Sequence, residues 1–167
     1  MKESRSELLA QVSELTTRQW LFKSEEKKKN IRDYVIHIAG SDKKLWTMLE
    51  QAMKVPSSPS KRAEVIVDDD ELIRHVEDRS ENGIAYDPFL NIGHNYKTYK
   101  EALEGFKKQR LDHIRYLRTS TEDLRNHVVR LSFGTIDCYQ LCLLMASHAN
   151  RHLEDIRKIM DDPSFPK

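Results

Sequence analysis

The segment TIDCYQLCLLMASHANRHLEDIRKIM, residues 135–160, carries apolar side chains at the spacing of an α-helix. His148 and His152 are four residues apart, which separates them by only about 40° around a helix and puts them on one face. The apolar residues of that face are Leu141, Met145, Ile156 and Ile159. We therefore predict a long helix that turns two histidines towards the protein interior and ends before Pro163.

Three earlier segments have the same periodicity. The first runs from Glu3 to about Leu15, the second from an N-cap at Asn30 to about Met53, and the third from near Thr98 to about Thr119. Four amphipathic helices in 167 residues predict an all-α four-helix bundle that forms a single domain over residues 1–167. The apolar stripe expected in the third helix, with Lys and Arg at the outer positions, comprises Ala102, Leu103, Phe106, Leu111, Ile114 and Leu117.

A long irregular connection is expected between the second and third helices. The prolines of VPSSPS, residues 55–60, prevent continuation of the second helix. Asp68–Val76 is predicted to form a short helix, whereas Asn82–Asn95 contains two glycines and a proline and is expected to be irregular. Elsewhere we expect a loop over Gln19–Lys29 and a short helical turn within Thr121–His127.

Charge and hydropathy exclude several classes of partner. The 28 basic and 27 acidic side chains nearly cancel, and the basic run Lys27–Lys29 follows Glu25 and Glu26, so nucleic acid is not an expected partner. No apolar segment approaches the roughly 18–20 residues that span a membrane, and the N-terminus lacks the apolar core of a signal peptide. We therefore expect a soluble, cytoplasmic protein without membrane partners, in which Cys138 and Cys142 act as small hydrophobic residues.

The histidine pair on the last helix admits two interpretations. His148 and His152 can be hydrogen-bonded structural histidines, or they can share a metal ion if a third ligand approaches them. His37 is the natural third ligand, because it lies on the inward stripe of the second helix and facing helices of a bundle commonly supply ligands. Three neutral imidazoles suit zinc, nickel, copper or ferrous iron and leave a coordination position open for water or substrate.

Other candidate ligands are less suitable. On an ideal helix Cys142 points about 120° away from His148, which excludes it from the same site. The remaining histidines occur in polar or loop contexts and are interpreted as surface or structural residues. They are His75, His94, His113 and His127.

Two segments resemble the DinB-like superfamily of metal-binding four-helix bundles, which includes the YfiT proteins and the bacillithiol transferases. NIRDYVIHIAGSD, which contains His37, resembles the N-terminal ligand helix of that family. The region from Asn126 to Pro166 resembles its C-terminal motifs. The matching residues there are Phe133, Gly134, Asp137, Tyr139, Gln140, His148, Arg151, His152, Ile156, Phe165 and Pro166. Two positions differ, since Lys29 and Leu141 stand where tryptophan is common in the family.

The resemblance implies a site in the bundle core formed by His37, His148 and His152. This site would hold a divalent metal ion, with zinc and nickel as the first candidates. The resemblance also implies thiol-transferase or metal-dependent hydrolase activity, with a small electrophile or a low-molecular-weight thiol as partner, and a homodimer in some members. The competing hypothesis is a non-catalytic, stress-linked metal-binding or interaction module.

Several residues have alternative roles near the expected site. Asp155 and Asp33 either orient ligand imidazoles or are solvated helix-face charges. Arg151 either anchors an anionic group or pairs with an acidic neighbour. Tyr139 and Trp46 are expected to be core or rim aromatics.

Overall fold

The computed structural model describes residues 1–24, 29–78 and 96–167, and this part of the chain is mostly helical. Its helices are α1 (Lys2–Val12), α2 (Thr17–Leu21), α3 (Ile31–Met53), α4 (Pro59–Arg62), α5 (Asp69–Glu77), α6 (Tyr99–Thr119) and α7 (Cys138–Met160). A 3-10 turn at Leu124–Asn126 precedes a hairpin of β1 (Val128–Leu131) and β2 (Gly134–Asp137). Among these helices, none is both long and apolar enough to cross a membrane.

The long helices pack directly against one another. α3 contacts both α6 and α7, α1 packs against α6 and α7, and α5 lies on α7. Two apolar clusters form the core, one containing Ile38 and Ile156 and the other Leu45 and Leu141. The pairing of α3 with α7 brings the two segments that carry the predicted ligands into contact.

Capping residues define where the two site-bearing helices begin. At the start of α3 the Asn30 side chain accepts a hydrogen bond from the backbone N–H of Asp33. The Asp33 carboxylate in turn accepts a hydrogen bond from the backbone N–H of Asn30. Asp137 and Gln140 form the same reciprocal pair at the start of α7. Asp137 is fully buried and also accepts from Arg125 at 3.1 Å, so its charge is compensated.

Most predicted helices are present, with some changed boundaries. α3 ends at Met53, α5 matches the predicted short helix, and the 3-10 turn lies within Thr121–His127, so these predictions are confirmed. The first helix ends at Val12 rather than Leu15. The prediction of a loop over Gln19–Lys29 was wrong at its first residues, because α2 extends to Leu21. The prediction for Asn82–Asn95 lies outside the described residues.

The hairpin corrects the predicted start of the last helix. Thr135–Asp137 belongs to β2 rather than to the last helix, and β2 pairs antiparallel with β1 so that Val129 faces Ile136. Gly134 adopts φ 139°, a backbone conformation that favours glycine and allows the chain to reverse. Val129 and Ile136 are both buried, so this short hairpin contributes apolar side chains to the core.

The buried face of α6 is also rotated relative to the prediction. Leu111 is 46% exposed, whereas Arg110 and His113 are buried beside Ala102 and Phe106. The expectation that Lys and Arg fill the outer positions of this helix was therefore wrong for Arg110. The spacing of Ala102, Phe106 and Arg110 follows the helical period, but an apolar pattern alone does not indicate a buried guanidinium.

Candidate metal centre

The three predicted histidines meet between α3 and α7. The Nε2 atom of His148 lies 3.2 Å from Nε2 of His37 and 3.2 Å from Nε2 of His152. All three candidate ligand nitrogens lie within 4.8 Å of one another. The structure therefore brings together the three residues that the sequence singled out, and this group can hold a metal ion.

The rings are arranged around a common point rather than stacked. Their centroids are 5.0 Å apart for His37 and His148, 4.8 Å for His37 and His152, and 4.6 Å for His148 and His152. The corresponding interplanar angles are 59°, 86° and 88°. The His152 ring is therefore nearly perpendicular to the other two rings, which are tilted relative to each other.

Burial keeps two of the three imidazoles uncharged. His148 is fully buried, and burial lowers its pKa well below the usual value, with repulsion from His152 and His37 adding to the effect. Burial also lowers the pKa of His152. Both imidazoles are therefore neutral near neutral pH, which is the form that binds metal ions.

Hydrogen bonding alone does not satisfy this cluster. If the proton of His148 lies on Nδ1, the single lone pair of its Nε2 atom faces two ring nitrogens and can accept a hydrogen bond from only one of them. If the proton lies on Nε2 instead, it can be donated to only one neighbour, and the Nδ1 lone pair is left without a donor. A cation would accept all three Nε2 lone pairs at once.

The nitrogen spacing also fits a metal ion. Three nitrogens placed about 2.0–2.1 Å from one cation are about 2.9 Å apart in octahedral and about 3.4 Å apart in tetrahedral coordination. The 3.2 Å separations from His148 lie between these values. The donor set of three imidazoles is typical of zinc and of late first-row metals.

Of the two carboxylates for which an orienting role was one alternative, only Asp155 contacts a ligand ring. Its Oδ2 lies 3.3 Å from Nδ1 of His152, which places the proton of that ring on Nδ1 and leaves Nε2 as a lone pair. Asp33 instead belongs to the capping pair with Asn30. His152 is thus oriented by an acidic partner one helical turn away on the same helix.

Arg151 has a role that the sequence interpretation did not anticipate. Its Nη1 donates to the backbone carbonyl of Val76 at 3.1 Å and to that of Asp78. These carbonyls lie at the C-terminal end of α5, where a cation is favoured by the helix dipole. Arg151 therefore holds the end of α5 against α7, one residue before His152.

The remaining singled-out residues lie outside the cluster. Trp46 stacks on His113, with centroids 3.8 Å apart, and belongs to the core. Tyr139 is 41% exposed and lies under the guanidinium of Arg125. Cys142 is buried and is not part of the ligand group. His75 is exposed, His127 bonds to the carbonyl of Ala52, and His94 lies outside the described residues.

The sequence analysis did not predict a buried ion pair that lies close to the site. Arg110 donates to both carboxylate oxygens of Asp42 and, at 2.8 Å, to the carbonyl of Met145, which is three residues before His148. Both charged side chains are fully buried. The pair ties α6 to α3 and α7 beside the histidines. Its sequence signal was weak, because Asp42 and Arg110 are 68 positions apart.

Comparison with known proteins gives one family. The family model described as the DinB superfamily matches residues 1–156, which include all three histidines. No curated protein and no solved structure matches the chain.

Proposed function

Since the chain belongs to the DinB superfamily, we propose that it is a metal-dependent enzyme, either a thiol S-transferase or a hydrolase. Its proposed metal ligands are His37, His148 and His152. The observation that carries the proposal is the convergence of three Nε2 atoms that hydrogen bonding cannot satisfy together. Zinc and nickel are the first candidates, because both suit imidazole ligands.

The protein contributes position and charge. A divalent cation held by the three imidazoles would supply the charge that keeps a thiol as thiolate or lowers the pKa of a water. Burial maintains His148 and His152 as neutral ligands, and Asp155 fixes the orientation of the His152 ring. His37 is only partly buried, so a substrate would approach from its side of the cluster.

The proposal includes a four-helix bundle of DinB and YfiT type, formed by α1, α3, α6 and α7, acting in the cytoplasm. The packing of α1 and α3 on both α6 and α7 supports the bundle. The two free cysteines agree with a reducing compartment. The proposed partners are a low-molecular-weight thiol and a small electrophile, and the near-balanced charge gives no reason to include nucleic acid.

A substrate screen tests the activity. The purified protein, loaded with zinc or with nickel, is incubated with low-molecular-weight thiols and a halogenated aromatic electrophile, and separately with hydrolysable esters. Conversion should disappear in His148→Ala, which removes the central ligand. His75→Ala is the matched control, because this exposed histidine lies outside the cluster, and it should retain activity.

The alternative is a non-catalytic metal-binding or interaction module. Absence of conversion with every thiol and every ester, in protein that has taken up one metal ion per chain, would favour the module over the enzyme. Thiol consumption without ester cleavage would identify the transferase, and the reverse pattern would identify the hydrolase.

A further inference from the structure

Lys29 lies at the edge of the histidine cluster. It directly precedes Asn30, the N-cap of α3, and its side chain is exposed. Its Nζ lies 5.8 Å from the centroid of the Tyr34 ring, and that ring is centred 5.4 Å from the ring of His152. An ammonium group therefore stands on the same side of the molecule as a proposed ligand, separated from it by one aromatic ring.

No acidic side chain of the described residues pairs with Lys29. The two carboxylates expected to flank the site already have partners, because Asp33 accepts from the Asn30 amide at 3.2 Å and Asp155 contacts the His152 ring. Arg151, the neighbouring cation on α7, donates to backbone carbonyls at the end of α5. Among these groups, Lys29 is the exposed cation that can meet an incoming molecule.

The charge of Lys29 lies close to the site, because a single aromatic ring separates its ammonium group from the His152 ring. The field of this ammonium group would attract an anion approaching the partly buried His37. A neutral side chain at this position would leave only the Tyr34 ring at this edge.

We propose that Lys29 gives the site a preference for substrates with an anionic group, a carboxylate or a phosphate, which it binds at the entrance while the reacting atom reaches the three histidines. This inference rests on the proposed function, since it names the substrate class of the same site. The ammonium side chain is flexible enough to follow an anionic group, and the buried Tyr34 ring lies between it and the His152 ring.

Ligand binding to the cobalt(II)-loaded protein tests this without requiring turnover. The visible spectrum of cobalt reports thiolate binding, and two thiols of equal length are compared, 3-mercaptopropionate and the neutral 3-mercapto-1-propanol. Lys29→Gln should weaken binding of 3-mercaptopropionate about threefold to fivefold, as expected for one exposed charge pair, and leave 3-mercapto-1-propanol unchanged. Lys29→Arg should restore the preference, and added salt should reduce it.

Lys54→Gln is the matched control. Lys54 is the exposed C-cap of the same helix, about 35 Å from Lys29 along a helix of 23 residues, and its loss should affect neither thiol. Equal weakening of both thiols by Lys29→Gln, or no effect on either, would overturn the role of Lys29 alone. Failure of the wild-type protein to bind cobalt, or of bound cobalt to bind either thiol, would overturn the proposed thiol chemistry and this inference with it.

Discussion

The Nε2 atom of His148 lies 3.2 Å from Nε2 of His37, although the two residues are 111 positions apart in the chain. This contact depends on the register of α3 against α7, since a shift of either helix by one residue would rotate its histidines by about 100°. Capping pairs fix where both helices begin, and the Arg110–Asp42 pair joins them through α6. The site is therefore a product of the whole helix packing.

Asp155 should control metal affinity without being a ligand. Asp155→Asn removes the carboxylate that accepts from Nδ1 of His152, and we expect zinc affinity to fall about 10-fold to 100-fold. Competition with a chromophoric chelator measures this change. Glu154→Gln is the matched control, because this exposed carboxylate is the preceding residue of α7. Equal zinc affinities of Asp155→Asn and wild type would show that the carboxylate does not orient the ligand.

The buried Arg110–Asp42 pair should be important for stability. Arg110→Met leaves the Asp42 carboxylate buried without its partner, and we expect the free energy of unfolding to fall by about 3–5 kcal/mol. Urea denaturation provides the measurement. Arg115→Met is the control, because Arg115 forms an exposed pair with Asp112 and its loss should cost less than about 1 kcal/mol. Similar losses in both variants would contradict the assigned role of Arg110.

His113 should make the fold sensitive to acid. Burial, with the charge of Arg110 adding to it, lowers the pKa of His113 to about 3. The unfolded chain binds this proton below about pH 6.5 and the folded protein does not, so stability present above pH 6.5 is lost as pH falls towards 3. Relative to His113→Phe, which can preserve a ring against Trp46, wild-type stability should decrease by up to about 1.4 kcal/mol per pH unit in this range.

Denaturation of both proteins at pH 7, 5.5 and 4.5 checks this expectation. Taking the difference between them removes the contribution of the other titrating groups, provided that the substitution leaves their environments unchanged. A difference in unfolding free energy that stays constant across the three pH values would show that His113 is not held neutral by the fold.

Two helical glycines should respond differently to alanine. A Cβ at Gly40, in α3, would meet no atom within 4 Å, so Gly40→Ala should raise the free energy of unfolding by about 1 kcal/mol through helix propensity. A Cβ at Gly105, in α6, would lie 2.6 Å from the Tyr96 hydroxyl oxygen, so Gly105→Ala should gain less or destabilise. Thermal unfolding of the two variants and the wild type measures both changes in stability. A larger gain at Gly105 than at Gly40 would be inconsistent with the packing.

Much of the candidate site could be predicted from the sequence because its signals are local. His148 and His152 are related by one helical turn, and the stripe of α3 identifies the inward position of His37. The contact between His37 and the histidine pair joins distant parts of the chain. It was inferred from the way facing helices of a bundle supply ligands and from the family resemblance. Asp155 was considered as a carboxylate that could orient a ligand imidazole, and it follows His152 by three residues on one helix.

The features that were missed depend on tertiary structure. The hairpin strands have four residues each, too few for their alternation to be distinguished from the start of a helix. Arg110 is buried because Asp42 and the Met145 carbonyl lie opposite it, and these partners are known only once the helices are packed. Arg151 similarly finds its acceptors on α5.

Zinc binding by the purified protein, after removal of bound metal with a chelator, tests the central claim most directly. Elemental analysis and chelator competition should give one ion per chain, and substitution of His37, His148 or His152 by alanine should each reduce the affinity by about 100-fold or more. His75→Ala should bind as the wild type does. A wild-type chain that takes up no stoichiometric zinc or nickel, or a single ligand substitution that leaves the affinity unchanged, would contradict a shared site formed by the three histidines.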